Sequence, residues 1–215
     1  MKFRHIRSSQ SSEATLWFLG WGFDSSIEPF IADEGNVYLL WDYTSLELSL
    51  DASAFSSVTV KAWSMGVWAA EAFLAAHTEV RASRTEAYCG TPRPADASYG
   101  IGAEAIRLTI DHWDEVNRRK FARKVAVDSS LAATLSPLLE TRGLDSQRSE
   151  LQSILDAQTE LPRRVWDLAV VSKRDRIFPV ASQRAWWSGR ARSIDERDIP
   201  HWPFSISPQP RCVTT

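Results

Sequence analysis

The chain has 215 residues, 44% of them hydrophobic and 24% charged, with a formal net charge of −2. That length supports a well-buried core, and the near balance of charge gives no global attraction to nucleic acid or anionic lipid. The two cysteines, Cys89 and Cys212, are too few for a zinc site. The apolar stretch Leu16 to Leu19 near the N-terminus is too short for a signal peptide or a membrane span. The composition thus suggests a cytoplasmic protein with reduced thiols that needs no metal or cofactor and has no nucleic-acid or membrane partner.

In chain order, Thr15–Leu19 (TLWFL) is a short apolar run ended by Gly20-Trp21-Gly22, which reads as a buried strand and a tight loop. Val37–Trp41 and Ser57–Trp63 are two further strands, the latter rich in β-branched residues. From Met65 the Ala-rich run MGVWAAEAFLAAH has helical spacing and begins just after Ser64. Glu86–Cys89 is a fourth strand, stopped by Gly90-Thr91-Pro92. No strand pattern occurs from about 100 to 160. Helices are expected instead at Ala103–Trp113, Glu115–Ala126, Ser130–Leu139 and Ser146–Ala157, with Asp114, Asp128 and Asp145 as N-caps. Strand pattern returns at Val165–Val171, a helical turn at Gln183–Trp187 and a short strand at Ser193–Glu196, before a Pro- and Ser-rich stretch from 203 to 215. This order predicts a mainly parallel α/β sheet with helices on both faces. Residues 1–99 and 161–215 would form its core, and 100–160 a helical cap insertion.

Ala62-Trp63-Ser64-Met65-Gly66 lies between a strand and a helix, where an α/β-hydrolase fold keeps its G-x-S-x-G nucleophile elbow. The turn needs small flanking residues; Gly66 satisfies one side and Ala62 departs modestly on the other. Ser64 is thus either a nucleophile or merely a helix N-cap. In this fold the acid and the histidine follow the serine. Of His5, His77, His112 and His201, only His201 follows the last strand, between Pro200 and a Trp202-Pro203 pair that stiffen its loop. Asp175 lies just past the carboxyl end of the Val165–Val171 strand, where functional groups of open α/β sheets collect. Asp167 sits at the wrong end, and no strand end places Asp195 or Asp198. The competing reading of Asp175 is a solvated turn carboxylate paired with Arg174 or Arg176, and the catalytic role is the favoured one. With Ser64, Asp175 and His201 as a triad, the backbone N–H groups of Met65 and Trp21 would hold the oxyanion. Trp21 and Trp63 are candidates for the acyl channel, and Trp68 for the core.

Taken together, Gly20-Trp21-Gly22, Trp41-Asp42-Tyr43, Ala62 to Trp68, Gly90-Thr91-Pro92 with Tyr99-Gly100-Ile101, Asp175 to Pro179 and Pro200-His201 resemble the BioG family, over about Leu16 to Phe204. Family elbows usually begin with Ala, which accounts for Ala62. The resemblance implies a serine esterase that removes the methyl ester from pimeloyl-acyl-carrier protein in biotin synthesis, with Ser64, Asp175 and His201 as its triad. The carrier protein is acidic, so Arg118, Arg119, Arg123 and Lys124, in a segment with five positive charges, are candidates to meet it or the phosphate of its pantetheine arm. Arg142 and Arg148 are lesser candidates, and a plain solvated helix face is the competing reading. The other functional readings are an esterase or thioesterase of the same fold acting on other small acyl esters, and a non-catalytic ligand-binding relative.

Overall fold

A computed structural model describes residues 1–157 and 164–205. The boundary expected at 160–161, Cys212 and most of the Pro- and Ser-rich stretch lie outside them. Seven strands form one sheet in the order β1-β3-β2-β4-β5-β6-β7. They are β1 (Lys2–Arg7), β2 (Glu13–Phe18), β3 (Asn36–Trp41), β4 (Ser57–Trp63), β5 (Ala82–Tyr88), β6 (Trp166–Ser172) and β7 (Ala191–Arg197). β1 pairs antiparallel with β3, and all other pairs are parallel. The helices are α1 (Gly66–Ala76), α2 (Ala103–Asp111), α3 (Glu115–Ala126), α4 (Ser129–Glu140), α5 (Leu144–Asp156) and α6 (Val180–Trp187).

Side-chain alternation sends the strands to two cores. Leu16, Phe18, Val58, Val60 and Ala62 pack with α1 and α6 on one face. Trp17, Leu19, Val37, Leu39 and Trp63 face a second cluster with a 3-10 helix at Ser25–Phe30, α3, α4 and Trp202. Between β5 and β6 the described regular elements are the four helices α2 to α5, from Ala103 to Asp156, as the absence of strand pattern predicts. Asp114 and Asp128 cap α3 and α4 through their side chains. Asp145 does not cap α5: Gly143 does, and Asp145 lies in the first turn, paired with Arg148 at 2.6 Å. Among the described residues no helix is long and apolar enough to cross a membrane.

β2 sits between β3 and β4, so the chain leaves it in one direction for β3 and returns on its other side as β4. Loops at such a reversal diverge and leave a crevice at the carboxyl ends of the strands. The register Phe18↔Ala62 aligns the ends of β2 and β4, so the Gly20–Gly22 loop and Ser64 emerge side by side.

Candidate active site

Ser64 occupies the tight turn between β4 and α1 with φ +58°, a left-handed conformation that costs a non-glycine residue of order 1–3 kcal/mol. Its neighbours make the turn possible. A Cβ on Gly66 would stand 2.2 Å from the Phe18 carbonyl oxygen, and one on Gly90 would stand 2.4 Å from that of Ser64. Both positions therefore exclude any side chain. Trp187 Nε1 holds the Gly90 carbonyl at 3.0 Å, fixing the loop that backs the turn. Gly90→Ala is expected to displace Ser64, lowering the melting temperature by several degrees, as overpacking of about 1–3 kcal/mol does, and kcat by at least about ten-fold. Gly143→Ala, with nothing within 4 Å of the added carbon, is the control expected to leave kcat unchanged, at only the modest stability cost of an alanine at the N-cap of α5. Thermal unfolding and steady-state kinetics check both; wild-type kcat in Gly90→Ala would contradict this account.

The Ser64 side chain does not cap α1. Met65 is the N-cap residue, and Ser64 Oγ lies 2.9 Å from His201 Nε2. His201 Nδ1 lies 2.8 Å from Asp175 Oδ2. A carboxylate only accepts, so Nδ1 carries the proton and donates it, leaving Nε2 to accept from the Ser64 hydroxyl. The imidazole and the Asp175 carboxylate are almost wholly shielded, with side-chain exposures of 1% and 0%. Asp175 is not a solvated turn residue. Its Oδ1 accepts from the Ile177 and Phe178 backbone N–H groups at 2.8 Å each, and Gln183 Nε2 donates to Oδ2 at 3.0 Å. Sequence reasoning missed Gln183, whose type and spacing carry no signal. The His201 loop is pinned on both sides: Ser172 Oγ donates to the Ile199 carbonyl at 2.6 Å, and Trp63 Nε1 to that of His201 at 2.8 Å. Trp63 is thus a buried strut rather than a channel wall, while Trp21 does line the cavity.

The other histidines lie apart from this cluster. His5 stacks on Tyr38 at the sheet edge, and His77 ends α1 beside Glu79. His112, after α2, reaches only the cavity wall. Asp167 binds Thr85, and Asp195 and Asp198 pair with Arg197 and Arg174 at the surface.

Among the described residues, the backbone N–H groups of Trp21 and Met65 have no acceptor. Met65 stands at the positive end of α1, where an anion is favoured. Ser64 opens into a cavity of about 530 Å³, whose walls include Ile106, Trp113, Phe121 and Leu151. Lys120 and Lys124 of α3 and Arg176 also line it. Of the basic residues singled out from the sequence, Arg119, Arg123 and Lys124 are exposed. Arg118 is not available for docking: it is buried on the inner face of α3, where it donates to the Arg142 carbonyl at 3.1 Å and to Glu115 at 2.6 Å. Arg142 is also buried, in an ion pair with Glu150 at 2.6 Å. Arg148 bonds Asp145 and the Trp113 carbonyl. Burial pushes the Glu150 carboxyl above its ordinary value, and Arg142 opposes that shift.

Comparison with known proteins bears on the family and the fold. The profile of the family described as pimeloyl-ACP methyl esterase BioG matches residues 1–209. The chain is similar to BioG from Haemophilus influenzae, with a TM-score of 0.83, 30% identity and coverage of 94% of both chains. It is 31% identical over 200 residues to malonyl-[acyl-carrier protein] O-methyltransferase of Bacteroides fragilis, a match covering 90% of this chain but only 40% of that longer protein. An esterase from Exiguobacterium antarcticum, at 14% identity, shares the fold with a TM-score of 0.68 over 93% of this chain and 87% of that one. The fold is that of the α/β-hydrolases, and the chain is a carboxylic ester hydrolase belonging to the BioG family of pimeloyl-ACP methyl esterases.

Proposed function

We propose that this enzyme cleaves the methyl ester of pimeloyl-acyl-carrier protein in biotin synthesis, through an acyl-enzyme on Ser64. The observation that carries the reading is the unbroken chain Ser64–His201–Asp175 at a largely apolar cavity. Ser64 Oγ attacks the ester carbonyl while His201 Nε2 takes its proton. Asp175 steadies the resulting imidazolium. The N–H groups of Met65 and Trp21 receive the oxyanion. As the tetrahedral species collapses, His201 returns the proton to the departing methoxide. Water, deprotonated by His201, then attacks the acyl-enzyme and frees Ser64 and a carboxylate. The apolar walls suit the methylene chain, and the basic groups beside them suit what lies beyond its far end.

Incubation with pimeloyl-acyl-carrier-protein methyl ester should convert it to the free acid, read as a mass or mobility change of the carrier. No conversion, with a short nitrophenyl ester still cleaved, would retain the esterase and remove this substrate. The docking surface is the exposed set Arg119, Lys120, Arg123 and Lys124, and the buried Arg118 takes no part in it. The double charge reversal Arg119→Glu with Arg123→Glu is expected to raise KM for the protein-bound ester about ten-fold, while leaving kcat/KM for the nitrophenyl ester unchanged. Equal loss on both substrates would count against docking there.

A further inference from the structure

The Trp21 N–H can serve the reaction only if its loop is held still, and the sheet holds just one side of it. Leu19 N donates to the Leu40 carbonyl at 2.9 Å, and Tyr43 Oη donates to the Leu19 carbonyl at 2.7 Å. On the other side the loop is tied to the helical insertion. The Trp21 indole donates to the Gln147 backbone carbonyl at 2.7 Å. The Gln147 side-chain amide donates to the Gly22 carbonyl at 2.9 Å and to that of Leu139 at 2.8 Å, and its oxygen accepts from Trp113 Nε1 at 3.0 Å. Glu150, one turn further along α5, accepts from Tyr43 N at 3.0 Å and, at a longer 3.4 Å, from Gly22 N. Arg142 balances its charge. Gln147 and Glu150 are wholly buried.

We propose that Gln147, supported by Glu150, is the positioning residue that aims the Trp21 N–H at the oxyanion, so that α5 is a fixed part of the catalytic core rather than part of a lid. This rests on the reading of Trp21 as an oxyanion donor. The chemistry of Gln147 suits the task. A carbonyl such as Gly22's needs a donor, an indole needs an acceptor, and an uncharged amide supplies both in one plane. The indole contact fixes which end of the amide faces Gly22. A carboxylate there would face two carbonyl oxygens, and an apolar side chain would leave them unpaired. α5 joins its neighbours through buried polar contacts whose separation would leave several groups unsatisfied.

The test is Gln147→Met, which keeps the backbone carbonyl and approximate volume but removes the amide. On a short nitrophenyl ester, kcat is expected to fall about ten- to a hundred-fold, because misplacing a group by an ångström costs about a hundred-fold. KM should stay within about two-fold of wild type. Affinity for methylboronic acid, which forms a tetrahedral adduct with a serine nucleophile and carries no acyl chain, should fall by the same factor as kcat. Trp113→Phe, which removes the indole donor to Gln147 and trims a ring packed on Trp21 at the cavity wall, should shift kcat and boronate affinity together by a smaller factor, and that matched shift decides the matter should Gln147→Met not fold. A cooperatively unfolding variant with wild-type kcat overturns the proposal. So does a fall in kcat with boronate affinity unchanged, which marks a merely structural role. Boronate binding that survives Ser64→Ala would instead overturn the nucleophile assignment, whatever Gln147 does.

Discussion

Ser64→Ala is expected to lower kcat for ester hydrolysis by about 10⁴- to 10⁶-fold, the range over which a triad serine separates the full mechanism from the oxyanion hole acting alone. On the proposed mechanism, Ser64 Oγ is the atom bonded to the acyl group, and no neighbour can replace it. Cys89 is fully buried, and burial pushes its thiol well above its ordinary range. The change should leave the fold intact: Ala keeps the Cβ, adopts the left-handed turn at a similar cost, and leaves His201 bonded to Asp175. Melting temperature should therefore stay close to wild type. A fluorophosphonate should label the wild-type chain once and the variant not at all. A variant retaining more than about a hundredth of wild-type kcat would remove Ser64 from the mechanism.

The sheet's interior was legible because parallel strands covered on both faces read as apolar runs. TLWFL and VYLLW correspond to β2 and β3 almost residue for residue. β1 was not legible. KFRHIR is an edge strand, largely exposed, so little selects for hydrophobic residues beyond Phe3 and Ile6. β5 begins four residues before the expected start at Glu86, because Ala82, Arg84 and Thr85 pair with β4 through their backbones while Ser83, Arg84 and Thr85 carry polar side chains that show no strand pattern. The same contrast divides the site. Ser64, Asp175 and His201 follow from chain order and strand ends, which are properties of the topology. Gln147, Glu150 and Gln183 act through contacts whose other partners are set by packing, and no local pattern marks them. Arg118 is an intermediate case. Ala122, Val125 and Ala126 define the inner face of α3, and a residue four before Ala122 shares that face. The run of five positive charges hid a periodicity that places one of them inside.

Asp175→Asn should lower kcat by about 10⁴-fold at a stability cost of only about 1–3 kcal/mol, because it is nearly isosteric and yet inverts the proton logic of the site. Oδ1 accepts from two backbone N–H groups, so the new amide is driven to keep its oxygen there. Its NH₂ group then faces His201 Nδ1 and Gln183 Nε2. Nδ1 must accept instead of donate, the ring proton moves to Nε2, and the ring then points a donor at Ser64 Oγ. A histidine in that tautomer cannot act as a base toward the serine. The flipped amide restores the tautomer but sets its NH₂ against two N–H donors in a dry site, at the cost of unsatisfied buried groups. Neither orientation recovers a working triad. The loss should be the same on nitrophenyl and carrier-bound esters, since it affects proton transfer and not docking. Asp198→Asn serves as the contrast: Asp198 pairs at the surface with Arg174 at 3.3 Å and should leave kcat unchanged. Less than a ten-fold loss in Asp175→Asn would mean that the imidazole needs no carboxylate to fix its tautomer. The buried contact at Nδ1 would then serve stability alone, and Asp175→Asn would register in the melting temperature instead.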